Sequence, residues 1–304
     1  MSDRAGAPVN AMSRRVRLIA VPYDSGHRGL RMGAGPLHFL AGGAAAVLNS
    51  DGSDAEVALV EATTEFASEI GTGFDLHRTL ARTVSDATAR GALPIVLAGN
   101  CGSAIGTVSG LRAGRDSEPG GAAHEIGVIW FDAHADLNTP ESSTSGFLDG
   151  MSLATLTGRC WTALASSVPG FRPIRDEHVI LAGARDIDAA ESDLLRHSGI
   201  ALASRGPTSA GSTGLTEALD SLQNRVKSVY VHLDLDVHDA AEVSANSYAQ
   251  PGGFGTAALR DAVCEIRERF TIAGAGLTAY DPAFDSDGRM LAAGLDLMVA
   301  IAGG

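Results

Sequence analysis

The chain has 304 residues, of which 45% are hydrophobic and 19% charged, and this composition is typical of a folded protein rather than a disordered one. Its net charge of −13 disfavours anionic partners, so we expect it to bind neither nucleic acid nor a membrane. The three cysteines are widely spaced, so we expect no disulfide framework. We find no apolar run of bilayer length and no secretory signal in the first residues, and these observations together favour a cytoplasmic protein.

Short apolar runs alternate with amphipathic segments along the chain. We predict a flexible tail over residues 1–14 and a single domain over residues 15–304. Eight runs are predicted as strands: Arg17–Val21, Glu56–Glu61, Leu93–Ala98, Ile126–Phe131, Val179–Gly183, Ile200–Ala203, Ser228–Leu233 and Ala273–Ala279. Helical spacing of apolar residues predicts three helices, at Asp75–Arg90, Thr256–Phe270 and Met290–Ala300. Loop-like composition predicts two surface loops, at Gly114–Ala123 and Ser204–Gly214. The alternation predicts a three-layer α/β/α domain with a mostly parallel, eight-stranded sheet, in which ligands bind at the carboxyl ends of the strands.

The strongest polar cluster follows the fourth predicted strand. Asp132, His134 and Asp136 alternate there, and every second residue of an extended segment lies on the same face. Two carboxylates and an imidazole on one face are typical of a divalent-metal site. The alternative is a solvated strand end with an unrelated histidine, which the presence of a second, similar cluster disfavours.

The second cluster follows the seventh predicted strand. Asp234 and Asp236 share one face there, and two buried acids at a strand end are costly unless a cation neutralises them, although the pair could also be solvated loop acids. Together the clusters supply four carboxylates and one imidazole, enough to hold two metal ions roughly 3.5 Å apart. Oxygen-rich ligation favours Mn²⁺ or Mg²⁺ over Zn²⁺. His232 is a candidate supporting residue for these ligands, and His238 is predicted to lie on the surface.

A third cluster marks the end of the third predicted strand, where Gly99, Asn100 and Cys101 precede a helix. A cysteine at a helix amino terminus has a lowered thiol pKa, which suits a functional site. The alternative is that Cys101 is a small buried hydrophobic residue. The order of strand, glycine, polar pair and helix favours a site position.

Taken together, these motifs resemble those of the ureohydrolase superfamily, which includes arginase and agmatinase, over about residues 15–300. Its Asp-Ala-His-x-Asp and Asp-x-Asp-x-x-Asp motifs are present as Asp132–Asp136 and Asp234–Asp239, its Gly-Gly-Asp-His-Ser motif corresponds to Ala98–Gly102, and its Pro-Gly-Gly loop to Pro251–Gly253. The resemblance implies an eight-stranded parallel sheet in three layers and two Mn²⁺ ions per chain. It also implies attack of a metal-bridging hydroxide on a guanidinium or amidine carbon. The implied metal ligands are Cys101, Asp132, His134, Asp136, Asp234 and Asp236.

Several positions depart from the superfamily pattern. Cys101 stands where the superfamily has a metal-binding histidine, and Asn100 where it has an acid, so an asparagine with a thiolate keeps the −1 charge of the usual pair. Asp149 replaces a proton-shuttling histidine, and we assign catalytic roles to Asp149 and Asp136. Ala279 replaces a glutamate that grips the guanidinium, which weakens the case for a fully cationic substrate.

The other end of the substrate site resembles that of arginases. Arginases hold the α-amino and α-carboxylate groups of the substrate with residues that match Asn138, Ser145, Asp188 and Glu191. Alternatively, Asp188 and Glu191 are the acidic first turn of a helix, and Asn138 is a turn residue before Pro140. The cysteine at the metal position, with no histidine in the following loop, resembles the hydroxyarginase branch, which cleaves Nω-hydroxy-arginine into ornithine and hydroxyurea in antibiotic biosynthesis.

We therefore predict a manganese-dependent amidinohydrolase that acts on a small, amino-acid-like guanidino compound of the arginine or Nω-hydroxy-arginine type. The resemblance also implies a homo-oligomer, either a trimer or a hexamer. Two alternatives stay open. One is an inactive homologue that acts as a binding or scaffold protein, and the other is a site that holds a single metal ion after loss of the Cys101 thiolate.

Overall fold

The computed structural model describes residues 13–116, 125–204 and 213–303. Most of the predicted amino-terminal tail and most of the two predicted surface loops therefore lie outside the described residues. The part of the first loop that is described, from Gly114 to Asp116, belongs to a helix instead. No helix in the described ranges has the length and apolarity needed to cross a membrane.

Within the described residues, nine strands form one sheet in which every pairing is parallel. Two further strands form a hairpin, so the described residues contain eleven strands in all. In chain order, these are β1 (Arg15–Val21), β2 (Tyr23–Asp24), β3 (His27–Arg28), β4 (Asp54–Leu59), β5 (Leu93–Ala98), β6 (Ile126–Phe131), β7 (Val179–Ala182), β8 (Ala201–Ser204), β9 (Thr213–Gly214), β10 (Ser228–Asp234) and β11 (Thr271–Thr278). The sheet order is β4-β1-β5-β11-β10-β6-β7-β8-β9, while β2 and β3 pair in a separate antiparallel hairpin. The eight predicted strands are all present, and the ninth contributes only two residues at the edge, so the predicted parallel sheet is confirmed.

Helices cover both faces of this sheet. They are α1 (Gly35–Ala41), α2 (Ala44–Ser50), α3 (Glu69–Ala89), α4 (Ser103–Asp116), α5 (Ser152–Leu156), α6 (Thr162–Ala165), α7 (Ala189–His197), α8 (Leu215–Gln223), α9 (Thr256–Arg269) and α10 (Arg289–Ala302). One apolar core contains side chains of α1, α2, α8, α9 and α10, and a second contains side chains of α3, α4 and α5. The predicted three-layer architecture is therefore confirmed.

The central strands are apolar throughout because both of their faces are covered. In β5, Ile95 and Leu97 pack into the first core, whereas Val96 and Ala98 pack into the second. A strand with two buried faces needs an unbroken apolar run, which is the pattern that predicted it. The polar residues that follow such runs are therefore confined to the strand ends.

Candidate metal centre

The candidate site lies where four neighbouring strands end. β5, β11, β10 and β6 are adjacent in the sheet, and because they are parallel their carboxyl ends open on one edge. The predicted ligands follow three of them: Cys101 after β5, Asp132–Asp136 after β6, and Asp234 and Asp236 at the end of β10. The order of strands thus brings together segments that are far apart in the sequence.

Glycine at position 99 allows the Cys101 segment to approach a neighbouring loop closely. A β-carbon at Gly99 would lie 2.3 Å from the carbonyl oxygen of Tyr23 and 2.7 Å from the amide nitrogen of Gly33. A larger residue would force these backbones apart. The chain then turns at Cys101, whose side chain is buried, and α4 begins at Ser103.

The segment Asp132–Asp136 does not continue as a strand. β6 ends at Phe131, and Asp136 adopts the left-handed backbone conformation with a φ of 53°, which is costly for a residue that has a β-carbon. The predicted alternation along an extended face is therefore wrong, because turns, rather than the pleat of a strand, orient these side chains. The Ala133 amide donates to Asp236 Oδ1 over 3.1 Å and ties this segment to the end of β10.

The segment after β10 is a single 3-10 turn that two neighbours fix. Asp234 Oδ1 accepts a hydrogen bond from the Asp236 amide over 2.9 Å and caps the turn. Arg185 Nη2 donates to the carbonyl oxygens of Asp236 and His238 at 3.0 and 2.9 Å. The Pro-Gly-Gly loop packs against the other side, where a β-carbon at Gly253 would lie 2.3 Å from the Val237 carbonyl oxygen.

The side chains of these three segments form one cluster. Cys101 Sγ donates a hydrogen bond to Asp234 Oδ2 over 2.9 Å. His134 Nδ1 lies 3.3 Å from Asp132 Oδ1 and 3.2 Å from Asp236 Oδ2. The structure therefore joins the first cluster of the sequence to the second, and the second to Cys101.

The acids of the cluster are crowded, and their pKa values reflect this. Burial, together with the charge of Asp236, raises the pKa of Asp132 to about 6. Burial and neighbouring carboxylates raise the pKa values of Asp136 and Asp234 well above their ordinary value. Burial alone would lower the pKa of His134, but its contacts with Asp132 and Asp236 outweigh this effect and raise the pKa to about 12. The cluster therefore has a strong affinity for positive charge.

Burial dominates the chemistry of Cys101. Its side chain is 2% exposed, and burial, with the charge of Asp234 added, raises the pKa of its thiol well above the ordinary value. The predicted lowering of this pKa is wrong, because Cys101 precedes α4 by two residues and lies among carboxylates. Its contact with Asp234 nevertheless places the sulfur among the predicted ligands.

The donor set fits divalent cations. Two groups have potential ligand atoms that all lie within 4.8 Å of one another, namely Cys101 with Asp132 and His232, and Asp132 with His134 and Asp236. Asp136 lines the same cleft, and its Oδ2 is buried with no hydrogen-bond partner in the described part of the chain, so this atom needs a proton or a cation. Carboxylate oxygens predominate, as Mn²⁺ and Mg²⁺ prefer, and the sulfur and imidazole add softer donors.

Asp149 lies beside the cluster and is held by three donors. Its Oδ2 accepts a hydrogen bond from Asn100 Nδ2 over 2.9 Å, and its Oδ1 accepts from the Gly102 amide at 3.0 Å and the Ser152 hydroxyl at 3.2 Å. Burial raises the pKa of Asp149 to about 7, against the opposing effect of these hydrogen bonds. A carboxyl group that titrates near neutral pH is suited to proton transfer.

A cleft of about 280 Å³ opens above the cluster, and its lining includes the four predicted substrate-binding residues. Asn138 Nδ2 donates to Asp188 Oδ2 over 2.8 Å. Ser145 is exposed, and its Oγ accepts a hydrogen bond from the Phe147 amide over 3.1 Å. These residues come together as predicted, while their role in binding a substrate stays a prediction.

Asp188 and Glu191 also begin a helix, as the alternative interpretation stated. They form a capping box at the start of α7, in which one oxygen of Glu191 accepts from the Asp188 amide over 2.9 Å. The other Glu191 oxygen accepts from the Leu137 amide over 2.9 Å. Glu191 is buried with both oxygens bound to the backbone, whereas Asp188 presents its carboxylate beside Asn138.

The cleft is also lined by residues that were not predicted as site residues from the sequence. Phe147 and Tyr248 stack there with ring centroids 5.6 Å apart, and the buried Asn246 donates to the Ala279 carbonyl oxygen over 2.7 Å. They lie outside the polar clusters, on loops without periodicity, so no local pattern marks them. His238, predicted on the surface, is 1% exposed because the Pro-Gly-Gly loop packs over it.

Fold and site together define a three-layer α/β protein with a carboxylate-rich candidate metal site at the carboxyl ends of its strands. A model of the Arginase family matches residues 14–303. An arginase from Bacillus caldovelox is 30% identical over 234 residues, which cover 75% of each chain. The solved arginases of Bacillus caldovelox and Bacillus subtilis are similar with TM-scores of 0.82 and 0.83 at 27% and 25% identity, each over 96% of this chain and 99% of the other.

The chain therefore belongs to the arginase family, and the predicted resemblance to the ureohydrolase superfamily is confirmed. Membership supports a metal-dependent amidinohydrolase, a hydrolase of C–N bonds that acts on a small molecule.

Proposed function

We propose that the protein is a manganese-dependent amidinohydrolase that cleaves a C–N bond of an amino-acid-like guanidino compound. One observation carries this proposal: six potential ligands from three distant segments come together. Five of them line one cleft, namely Cys101, His134, Asp136, Asp234 and Asp236, and the sixth, Asp132, contacts His134. Family membership supports the same chemistry. We infer two Mn²⁺ ions per chain, because the six proposed ligands supply four carboxylates, an imidazole and a sulfur, which are enough donors for two ions.

The proposed hydrolysis assigns different roles to the metal, Asp149 and Asp136. Bound Mn²⁺ supplies a Lewis acid that polarises the substrate and activates water. Asp149 is placed to move a proton, because its carboxyl lines the cleft and holds a proton near neutral pH. Asp136 lines the cleft with an oxygen that has no hydrogen-bond partner among the described residues, so this oxygen would be available to hold a metal ion beside the substrate.

The lining of the cleft favours a substrate with an amino-acid end and a weakly basic guanidino end. Asn138, Ser145 and Asp188 offer an amide, a hydroxyl and a carboxylate to an α-amino acid group. At the other end, Ala279 lines the cleft with a methyl group and supplies no negative charge. A hydroxyguanidine is less basic than a guanidine, so this end favours Nω-hydroxy-arginine over arginine.

A substrate panel tests the proposed function. Mn²⁺-loaded protein is incubated separately with arginine, Nω-hydroxy-arginine, agmatine and guanidino acids, and urea, hydroxyurea and ornithine are measured. We expect ornithine and hydroxyurea from Nω-hydroxy-arginine, with a higher kcat/KM than for arginine. The Asp236→Asn variant, measured in parallel, controls for a contaminating arginase.

Metal content separates the active enzyme from its alternatives. About two Mn per chain supports the proposed site, and about one supports a mononuclear centre. A protein that takes up no metal after incubation with Mn²⁺, and that hydrolyses nothing in the panel, would be the inactive homologue. We further propose that the protein is cytoplasmic and forms a homo-oligomer. Sedimentation of the purified protein tests the oligomeric state, and fractionation of the source cells tests the compartment.

A further inference from the structure

A row of buried polar side chains runs from the Cys101 sulfur into the interior. Cys101 Sγ lies 3.1 Å from Thr278 Oγ1, which lies 3.2 Å from His232 Nε2, and His232 Nδ1 lies 3.1 Å from the Tyr230 hydroxyl. Tyr230, His232 and Thr278 are fully buried and stand behind Cys101, outside the lining of the cleft. The indole of Trp130 stacks on the imidazole with ring centroids 3.6 Å apart and fixes its plane. We call Tyr230, His232 and Thr278 the supporting row.

Neighbouring strands make room for the supporting row. Tyr230 and His232 alternate along β10, and Thr278 ends β11 beside them. Gly276 of β11 has no side chain where the tyrosine hydroxyl lies, and a β-carbon there would stand 2.4 Å from that oxygen. The parallel pairing of the two strands therefore aligns the three polar groups in the order in which they contact one another.

The buried end of the row sets the direction of its hydrogen bonds. Among the described residues, His232 Nδ1 is the partner of the Tyr230 hydroxyl, so this hydroxyl donates to it. A doubly protonated imidazole would leave the tyrosine proton without an acceptor. The neutral imidazole therefore carries its proton on Nε2 and donates it to Thr278 Oγ1.

The threonine hydroxyl then has its own proton left to donate. The sulfur of Cys101 is 3.1 Å away, closer than the alternative acceptor, the Leu233 carbonyl oxygen at 3.5 Å, although sulfur is the larger atom. The Cys101 sulfur contacts Asp234 Oδ2 in another direction, so both contacts form together. Each link of such a one-way chain polarises the next.

We infer that Tyr230, His232 and Thr278 are positioning residues, which aim a hydroxyl donor at the Cys101 sulfur and so set its direction and donor strength as a metal ligand. This inference rests on the proposed function, in which Cys101 binds metal. Groups that bond to a metal ligand orient it and tune its electron density, and a hydrogen bond to sulfur withdraws electron density from it. The supporting row does not touch the substrate cleft, so its effect reaches the reaction only through the sulfur.

Substitution of Co²⁺ for Mn²⁺ provides an absorption signal that reports on the bond between sulfur and metal. Co²⁺-loaded protein with a cysteine ligand shows a sulfur-to-metal charge-transfer band in the near ultraviolet, and Cys101→Ser should remove this band. Thr278→Val removes the donor, and Tyr230→Phe lets the imidazole proton move to Nδ1, which turns the threonine hydroxyl away from sulfur. We expect both variants to shift the band to longer wavelength, because a sulfur without a donor is more easily oxidised, and Thr278→Ser to keep the wild-type band.

Tyr280→Phe is the matched control for Tyr230→Phe. The Tyr280 hydroxyl is also buried against an imidazole, 3.0 Å from His38 Nδ1, but bonds to Asp285 instead of the supporting row. We expect no shift of the band in this variant.

The outcomes distinguish whether Cys101 is a metal ligand from whether the supporting row acts on it. If the wild type lacks the band, or Cys101→Ser keeps it, Cys101 is not a ligand and the inference fails, whereas hydrolysis of the substrate panel still decides the proposed function. If the band is present but folded Thr278→Val and Tyr230→Phe proteins leave it unchanged, the inference alone is overturned. Circular dichroism verifies the fold, and if Tyr230→Phe does not fold, the pair Thr278→Val and Thr278→Ser decides.

Discussion

The side chains of Asn100 and Asp149 are joined by a hydrogen bond of 2.9 Å between Nδ2 and Oδ2. Both positions depart from the superfamily pattern, which has an acid at the first and a histidine at the second. An acid at position 100 would bring two carboxylates into contact, whereas the Asn100 amide donates to Asp149. Asn100 Oδ1 accepts a hydrogen bond from the Ser25 backbone amide over 2.9 Å, which fixes the orientation of the Asn100 side-chain amide. The two departures therefore compensate for each other.

This arrangement predicts that Asp149→Asn loses activity but keeps metal. The asparagine can still accept the hydrogen bond from the Gly102 amide but cannot exchange a proton, so we expect kcat to fall about 100- to 10,000-fold. Steady-state kinetics on the preferred substrate measures the loss, and Mn content of the same sample serves as the control. Wild-type turnover would show that Asp149 does not move the proton.

The proposed ligands can be tested by substitution in both motifs, with a control in the second motif. Asp236→Asn, Asp234→Ala and His134→Ala each remove a donor from the cluster, so we expect Mn²⁺ affinity to fall by at least about 100-fold and activity to be lost. Asp239→Asn is the matched control, because the Asp239 carboxylate accepts hydrogen bonds from the Ala241 and Gly252 amides, which an asparagine can also do. Calorimetric titration with Mn²⁺ measures both quantities needed, affinity and stoichiometry. Wild-type turnover in any of the three ligand variants would contradict the site.

Substitution at Cys101 should order the metal affinities. Cys101→His restores the nitrogen donor typical of the superfamily, whereas Cys101→Ser leaves a neutral hydroxyl that binds metal weakly. We expect Mn²⁺ affinity of the wild type and of Cys101→His to exceed that of Cys101→Ser in calorimetric titrations. Equal binding of two ions by all three proteins would mean that Cys101 is a small buried hydrophobic residue outside the ligand set.

The raised pKa values predict how pH affects the protein without metal. Burial raises the pKa of Asp132 to about 6 and of Asp149 to about 7, from an ordinary value of 3.8. Between about pH 4 and about pH 7 these two carboxyl groups hold protons in the folded protein that they have released in the unfolded chain, so their contribution to the free energy of unfolding falls as the pH rises. Buried imidazoles such as that of His77, whose pKa burial lowers to about 3, contribute in the opposite direction. We therefore expect the free energy of unfolding to fall more steeply, or rise less steeply, with pH in the wild type than in Asp149→Asn. The pKa of Asp236 is lowered by its contact with His134, against the effect of burial, so Asp236 titrates below this range.

Metal should reverse this pH dependence. Mn²⁺ displaces protons from the ligand acids, so its affinity should rise over the same pH range. Denaturant unfolding at about pH 5 and about pH 7, with EDTA and with Mn²⁺, measures both effects. The Asp149→Asn variant, measured in EDTA under the same conditions, isolates the contribution of Asp149, and the same pH dependence in both proteins would contradict the assignment of a buried, protonated acid.

Ala279→Glu should shift substrate preference toward arginine. Ala279 lines the cleft and already adopts a φ of 58°, so a glutamate adds little backbone strain beyond that of alanine. Its carboxylate would pair with a cationic guanidinium, and we expect the ratio of kcat/KM for arginine to that for Nω-hydroxy-arginine to rise about tenfold. Ala279→Gln, of equal size and without charge, is the control and should leave this ratio near the wild-type value.

The strands and the ligand segments can be located from the amino-acid sequence alone. A strand such as β5 is covered on both faces, so it must be an unbroken apolar run, and the ends of that run mark the ends of the strand in the sequence. Metal ligation likewise requires particular donors, so Asp132, His134 and Asp234 stand out after their strands. These features are local, and local features can be read without knowing which segments are neighbours.

The contacts of each polar group, by contrast, depend on the tertiary structure. The row from Tyr230 to Cys101, the pairing of Asn100 with Asp149 and the burial of both Glu191 oxygens join residues from different elements. The sequence placed Cys101 at a helix terminus with a lowered thiol pKa, whereas burial among carboxylates raises that pKa. A pKa or a hydrogen bond depends on neighbours brought together by the packing of the sheet, and this packing leaves no periodic trace in any single segment.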